Sequence, residues 1–274
     1  ENCYSSNNFI GGGSNNKVLS LCNSLNSIVG GDANCISSDS VCYSFIGGGS
    51  NNLVKGDCSS IVGGNLNEIC DRNCSFIGGG TSNTVNGTAA SIVGGCCHNI
   101  TGDCSFIGGG ESNTTPLGSH SSIVGGMYNT ASGVISFIGG GSLNLASGTV
   151  ASVVGGTLNT ASSCHSFIGG GCNNSISTHI GGFIGGGRNN TIEGSGQDGF
   201  LGGGNNNYIL SSTNGGHVLV GGTNNKSCNT CAGGGHTIVV GGCNNQATGK
   251  HSIIVGGISN TASSDCSFIG GGCL

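Results

Sequence analysis

Branched apolar residues recur along this chain at a near-constant spacing, and a pair of glycines follows each of them. Seventeen such anchors run through Ile10, Ile28, Ile46, Ile61, Ile77, Ile92, Ile107, Ile123, Ile138, Val153, Ile168, Ile184, Leu201, Leu219, Val239, Ile254 and Ile269. Half of the sixteen intervals are 15 residues long and none is shorter. The longer intervals lie near the N-terminus and between Ile184 and Val239, where a loop is expected to have grown. Six residues after the anchor stands asparagine: Asn16, Asn34, Asn52, Asn67, Asn83, Asn113, Asn129, Asn144, Asn159, Asn174, Asn190, Asn207, Asn225, Asn245 and Asn260, with His98 as the one exception. Two residues further on comes a small or apolar side chain in most units, such as Val18, Ile36, Val54, Ile69 or Ala131. Residues two apart share one face of a strand. Each unit therefore predicts a strand, a Gly-Gly corner, a second strand with Asn and an aliphatic residue inward, and a polar corner.

One such unit cannot bury its own apolar face, but a stack can, each coil hydrogen-bonding to the coils above and below. The pattern predicts an all-β parallel β-solenoid over residues 1–274, one continuous repeat domain of about 17 coils with longer loops around 193–238. The Gly-Gly pairs are expected to supply positive φ at the sharp corner. The inward asparagines are expected to form a ladder, each amide bonding the next coil and the corner backbone.

The first strand carries a second pattern. All nine phenylalanines stand just before an anchor: Phe9, Phe45, Phe76, Phe106, Phe137, Phe167, Phe183, Phe200 and Phe268. Each is paired with glycine just after the anchor, whereas the other eight units place valine there, usually with serine before. Through Phe167 the two kinds of unit alternate strictly. Two coil sizes fit this: coils of ~15 residues with Phe/Val faces packed between chains, or coils of ~31 residues with four strands and Phe stacked on Phe. A solvent-facing Phe/Val ladder is an apolar patch that soluble monomers avoid. The short coil, with identical chains covering this face, is the expected arrangement.

Composition narrows the function classes. The chain has 60 glycines, one proline, no tryptophan, and only 6 basic and 11 acidic residues. The glycines cluster instead of falling every third residue, so collagen is excluded. A net charge of −5 offers no basic face for nucleic acid, and no apolar run approaches the ~18 residues of a transmembrane helix. The chain opens at Glu1 without a signal-like segment and stops in mid-pattern, as expected of a mature or excised piece abutting further copies.

Seventeen cysteines are the unusual chemistry. Cys42, Cys58, Cys74, Cys104, Cys164 and Cys266 precede anchors, while Cys96, Cys172, Cys243 and Cys273 follow corners. Equivalent Cα atoms in stacked coils lie ~4.8 Å apart, within disulfide reach. Staples such as Cys58–Cys74 are therefore permitted, the alternative being small reduced residues that fill corners. Cys228-Asn-Thr-Cys231 and the Cys96-Cys97-His98 cluster lack a second ligand pair at metal spacing, so no metal, cofactor or catalytic residue is expected. Sequons at Asn73, Asn86, Asn99, Asn113, Asn173, Asn189 and Asn225 are expected by chance in a chain this rich in Asn, Ser and Thr. A regular outward threonine rank of the ice-binding kind is broken by Lys17, Glu68, Tyr208 and Lys226.

Ser136–Gly148 (SFIGGGSLNLASG) and Ser152–Ser162 (SVVGGTLNTAS) resemble the YadA-like head repeats of trimeric autotransporter adhesins. They are similar, more closely, to related repeats of bacterial surface proteins and of phage and large-virus fibres. The resemblance covers essentially the whole chain and implies a left-handed, trimeric β-roll in an extracellular or virion fibre. The expectation is a non-catalytic structural segment of a cell- or virion-surface fibre, partnered by identical chains as a homotrimer that can continue end to end. The alternative is an adhesin head whose corner loops bind a host receptor or glycan.

Overall fold

The computed structural model describes residues 7–19, 25–37, 42–211, 215–229 and 235–273. The longer loops expected around 193–238 lie partly outside these residues. Two compact units divide the chain, residues 1–132 and 133–274, and each is a parallel β-solenoid. Among the described residues there is no helix, hence none long and apolar enough to cross a membrane.

Each coil uses two very short strands. In the first unit, Phe76–Ile77 pairs with Ser91–Ile92, which pairs with Phe106–Ile107. The second strands follow the same rule: Glu68–Ile69, Thr84–Val85 and Asn99–Ile100 are successive parallel neighbours. In the second unit Ile138, Val153 and Ile168 register in turn. Every strand finds its partner one repeat away, so the coil is the short one. The 31-residue coil is overturned by this register, because Phe106 sits between Ser91 and Ser122 instead of against another phenylalanine. The second unit departs from the alternation: Phe167, Phe183 and Phe200 are direct neighbours, with ring centroids 5.1 and 5.2 Å apart and nearly parallel planes.

A third column of contacts was not legible in the repeat. Single residues after each corner make parallel bridges to the next coil, as in the run Asn65, Thr81, Cys96 and Glu111. Their isolation has a local cause. Gly80 at φ 93° and Ser82 at φ 56° bracket Thr81, so only one extended residue survives between two left-handed ones. Left-handed backbone is costly for any residue with a Cβ, yet Cys97, Cys104 and even Val150 adopt it. Inter-coil bonds hold them there: the Cys97 N–H donates to Thr81 O at 3.0 Å, Cys104 to Thr88 O at 2.8 Å and Val150 to Val134 O at 2.8 Å.

The core is a narrow column of anchors and second-strand aliphatics. Ile77, Ile92, Ile107, Val85 and Ile100 are wholly buried, as are Ile138, Val153, Ala146 and Ala161 in the second unit. Each isoleucine contributes roughly 2 kcal/mol of burial.

The glycines divide their work. In most coils only the second glycine of each pair takes positive φ, for example Gly64, Gly80 and Gly95. The first, such as Gly63, Gly79 or Gly94, has open space where a Cβ would go. A third glycine, present only in phenylalanine coils, lies between the next coil's carbonyl and the ring. A Cβ at Gly78 would meet Phe76 Cε1 at 3.3 Å and the Val93 carbonyl oxygen at 2.3 Å. The phenyl ring lies across its own glycine, so the Phe/Gly pairing is satisfied within a single chain. Substitution separates these roles. Gly78→Ala is expected to lower stability by more than about 2 kcal/mol, because backbone must move. Gly79→Ala is expected to change it by less than about 0.5 kcal/mol, as for a surface position away from special features. Urea midpoints of the two variants check this, and equal losses would show that the open space at Gly79 is not real.

Candidate functional site

The strongest side-chain pattern is the buried asparagine ladder. Asn67 donates from Nδ2 to Gly63 O at 3.1 Å and to Gly80 O at 3.0 Å, and its Oδ1 accepts the Asn83 N–H at 3.1 Å. Asn159 repeats the set in the second unit with Gly155, Gly171 and Asn174. One amide thus closes its own corner, ties the corner of the next coil and caps the next asparagine. Asn34, Asn52, Asn83, Asn113, Asn129, Asn144, Asn174, Asn190, Asn207, Asn225, Asn245 and Asn260 are likewise buried, and Asn16 near the start is half-buried. With both ends of the amide engaged, these residues are structural.

A second inward ladder went unread in the sequence. Ser44, Ser59, Ser75, Ser105 and Ser121, each two residues before an anchor, are buried. Ser75 Oγ donates to Gly87 O at 2.8 Å and accepts the Ala90 N–H at 3.4 Å. The signal was the recurrent serine preceding Phe-Ile or Ser-Ile, with its spacing of two from the anchor placing it inward.

Histidines interrupt both ladders. His98 replaces an asparagine: its Nδ1 accepts the Asn113 N–H at 3.1 Å, leaving the protonated Nε2 buried without a partner of good geometry. In the second unit, glycines take the serine position at Gly182 and Gly199. A Cβ at Gly199 would lie 2.8 Å from His179 Nε2. His179 fills that room and accepts the Gly199 N–H at 2.9 Å. His217 occupies the serine position itself, with Nδ1 2.5 Å from Thr237 Oγ1. Burial holds all three imidazoles below the ordinary histidine pKa, His217 down to about 4 with the neighbouring His179 and His236 contributing.

The outward face of the first strands is apolar and open. Val62, Val93 and Val124 are 50–53% exposed and Phe76 and Phe106 just over a third in the first unit. In the second, Phe137, Phe200, Val154 and Val220 are exposed and Phe167 and Phe183 half-buried, as Phe45 is in the first; Phe9 and Phe268, near the two chain ends, are more open. From Phe167 onward the alternate serine is replaced by Val218, Ile238 and Ile253, so the polar rungs disappear.

Cys35, Cys58, Cys70, Cys74, Cys96, Cys97, Cys104, Cys164, Cys172, Cys243 and Cys266 are free thiols, while Cys3, Cys22 and Cys231, hence the Cys228–Cys231 motif, lie outside the described residues. Cys58 and Cys74 occupy equivalent left-handed corner positions in consecutive coils. Partial burial, and then the facing Cys74 thiol, raise the Cys58 thiol above its ordinary range. Cys96 and Cys97 are brought together, but the expected cluster with His98 is not, because His98 points into the core. Among the sequons, Asn113 and Asn225 are buried in the ladder, whereas Asn73, Asn86, Asn99, Asn173 and Asn189 are exposed. No family model matches this chain and no curated protein matches it in sequence, so its functional reading rests on geometry.

A histidine harder to protonate when folded contributes its full stability above about pH 6.5, and that contribution is lost as pH falls toward the folded pKa. The solenoid is therefore expected to weaken on acidification from pH 7 toward pH 4, the value to which His217 is pushed. His98→Asn restores the regular ladder residue and should remove up to about 1.4 kcal/mol per pH unit of that slope. Denaturant midpoints across this range test it, and an unchanged slope would place the titration elsewhere. For the thiols, oxidation is expected to link Cys58 to Cys74 within one chain and never Cys74 to Cys104, which stand two coils, nearly 10 Å, apart. Non-reducing peptide mapping reads the links directly.

Proposed function

We propose that this chain is a non-catalytic structural segment of an extracellular fibre, on a cell or virion surface, assembled from identical chains through the Phe/Val face. The observation that carries this reading is the open apolar column on a scaffold whose inward asparagine amides are engaged at both ends. In the first unit alone, valine and phenylalanine follow one another on every coil, a contiguous patch of the kind that marks an association surface. Beside it run glycines such as Gly63, Gly79 and Gly94 with nothing within 4 Å of a would-be Cβ. Bare glycine lets a second backbone come close. Three-fold closure is the arrangement that the resemblance to trimeric head repeats adds, since a closed ring hides one heterologous patch from solvent on every copy.

The inward polar groups support a scaffold over an enzyme. Asparagine amides, and serine hydroxyls such as that of Ser75, are spent on backbone partners. The test is association state. Val62, Val93 and Val124 each replaced by lysine leave the buried ladders untouched but set charges in the proposed contact. Sedimentation is expected to show an oligomer for the parent chain and a folded monomer for the triple variant. A monomeric parent, or an oligomer indifferent to three lysines, would overturn the reading.

A further inference from the structure

The pair Cys96-Cys97 has no part in the ladders or in the apolar face. Cys96 is the single-residue bridge between Thr81 and Glu111, and Cys97 is the left-handed residue that follows, at φ 61°. Consecutive residues of a strand point to opposite faces, but this change of backbone conformation turns both thiols to the surface and brings their sulfurs to 2.8 Å. The backbone beneath is fixed on both sides. The Cys96 N–H donates to Gly110 O and the Cys97 N–H to Thr81 O, each at 3.0 Å. Little ordering remains for a ligand to impose.

The surroundings decide which ligand fits. His98 is turned inward with Nδ1 engaged by Asn113, so the nearest imidazole is withdrawn. Glu111 on the next coil is the neighbouring charge, and its effect on the Cys96 thiol follows those of the Cys97 hydrogen bond and of desolvation, all three keeping the thiol protonated. Two soft sulfurs without further nitrogen or sulfur donors do not make a tetrahedral zinc site. They match an electrophile with two open valences for sulfur.

We propose that Cys96 and Cys97 form a chelating site for trivalent organoarsenicals, R–As(OH)₂. Two S–H and two As–O bonds break and two As–S bonds form. Both thiol protons leave with the hydroxyls as two waters, and no atom changes oxidation state. The six-atom bridge across one peptide link closes on sulfurs that already touch.

The full chain carrying Cys74→Ala, which removes the Cys58/Cys74 pair, is treated with hydrated phenylarsine oxide and challenged with excess monothiol. Intact-mass spectrometry then counts retained phenylarsenic, since single-thiol adducts wash out and chelates remain. Adding Cys96→Thr or Cys97→Ser is expected to lower the retained count by one per chain. Both substitutions are native to neighbouring coils, where Thr81 precedes Cys96 in its column and Ser82 and Ser112 flank Cys97 in its own, and circular dichroism confirms the fold. A retained count unchanged by either substitution would overturn the proposal.

Discussion

The structure depends on a single constraint: the backbone of a coil finds most of its hydrogen-bond partners in the coil one repeat away. With strands of two to four residues, no coil has enough contacts of its own to hold a shape. Register is therefore shared along the stack, and whatever one coil places inward must recur at the same height in the next. The asparagine amide meets this requirement with unusual economy. Two donors and one acceptor are used at one point, linking Gly63, Gly80 and Asn83 through Asn67. An aspartate would lose the donors, and a leucine would leave two carbonyls and an amide stranded in a dry column.

That constraint explains where variation is allowed. The asparagine position accepts a residue that reproduces its hydrogen bonds, as His98 does in part, whereas the serine position also takes the buried Ala90 and Ala151 and, beside His179, two glycines. Outward positions are free, and there the chain concentrates its phenylalanine, valine and cysteine. The consequence is a separation of labour: an interior whose asparagine amides are engaged on the backbone, and exterior columns that repeat whatever they display. Repetition turns one modest apolar contact per coil into a continuous face. It also turns an isolated thiol into a neighbour of another, either between coils at Cys58 and Cys74 or within one corner at Cys96 and Cys97.

The same constraint sets the response to acid. Buried neutral imidazoles at ladder positions replace groups that never titrate. Protonation of His98 adds a proton to Nδ1 where the Asn113 N–H already points, so charge and hydrogen-bond conflict arise together. A ladder of asparagine alone has no such weakness. The weakness is local to the histidine coils, because each rung answers only to its neighbours.

The repeat by itself determined the parallel β-solenoid, the inward asparagines and the outward placement of Phe9 through Phe268, because a spacing of two and a period of 15 leave little choice of face. It also carried the serine ladder, written as plainly as the asparagines but masked by the abundance of serine elsewhere. Coil length was open, since strict Phe/Val alternation is compatible with either period. The pairing of Phe106 with Ser91 and Ser122 decided it. Only tertiary structure could assign the glycines, which are identical in sequence but differ in whether a neighbouring carbonyl, a phenyl ring or empty space lies where a Cβ would stand. It alone brought the thiols of Cys96 and Cys97 together, because the left-handed residue at Cys97 breaks the strand's alternation of faces, and backbone sign is not a property that composition or spacing records.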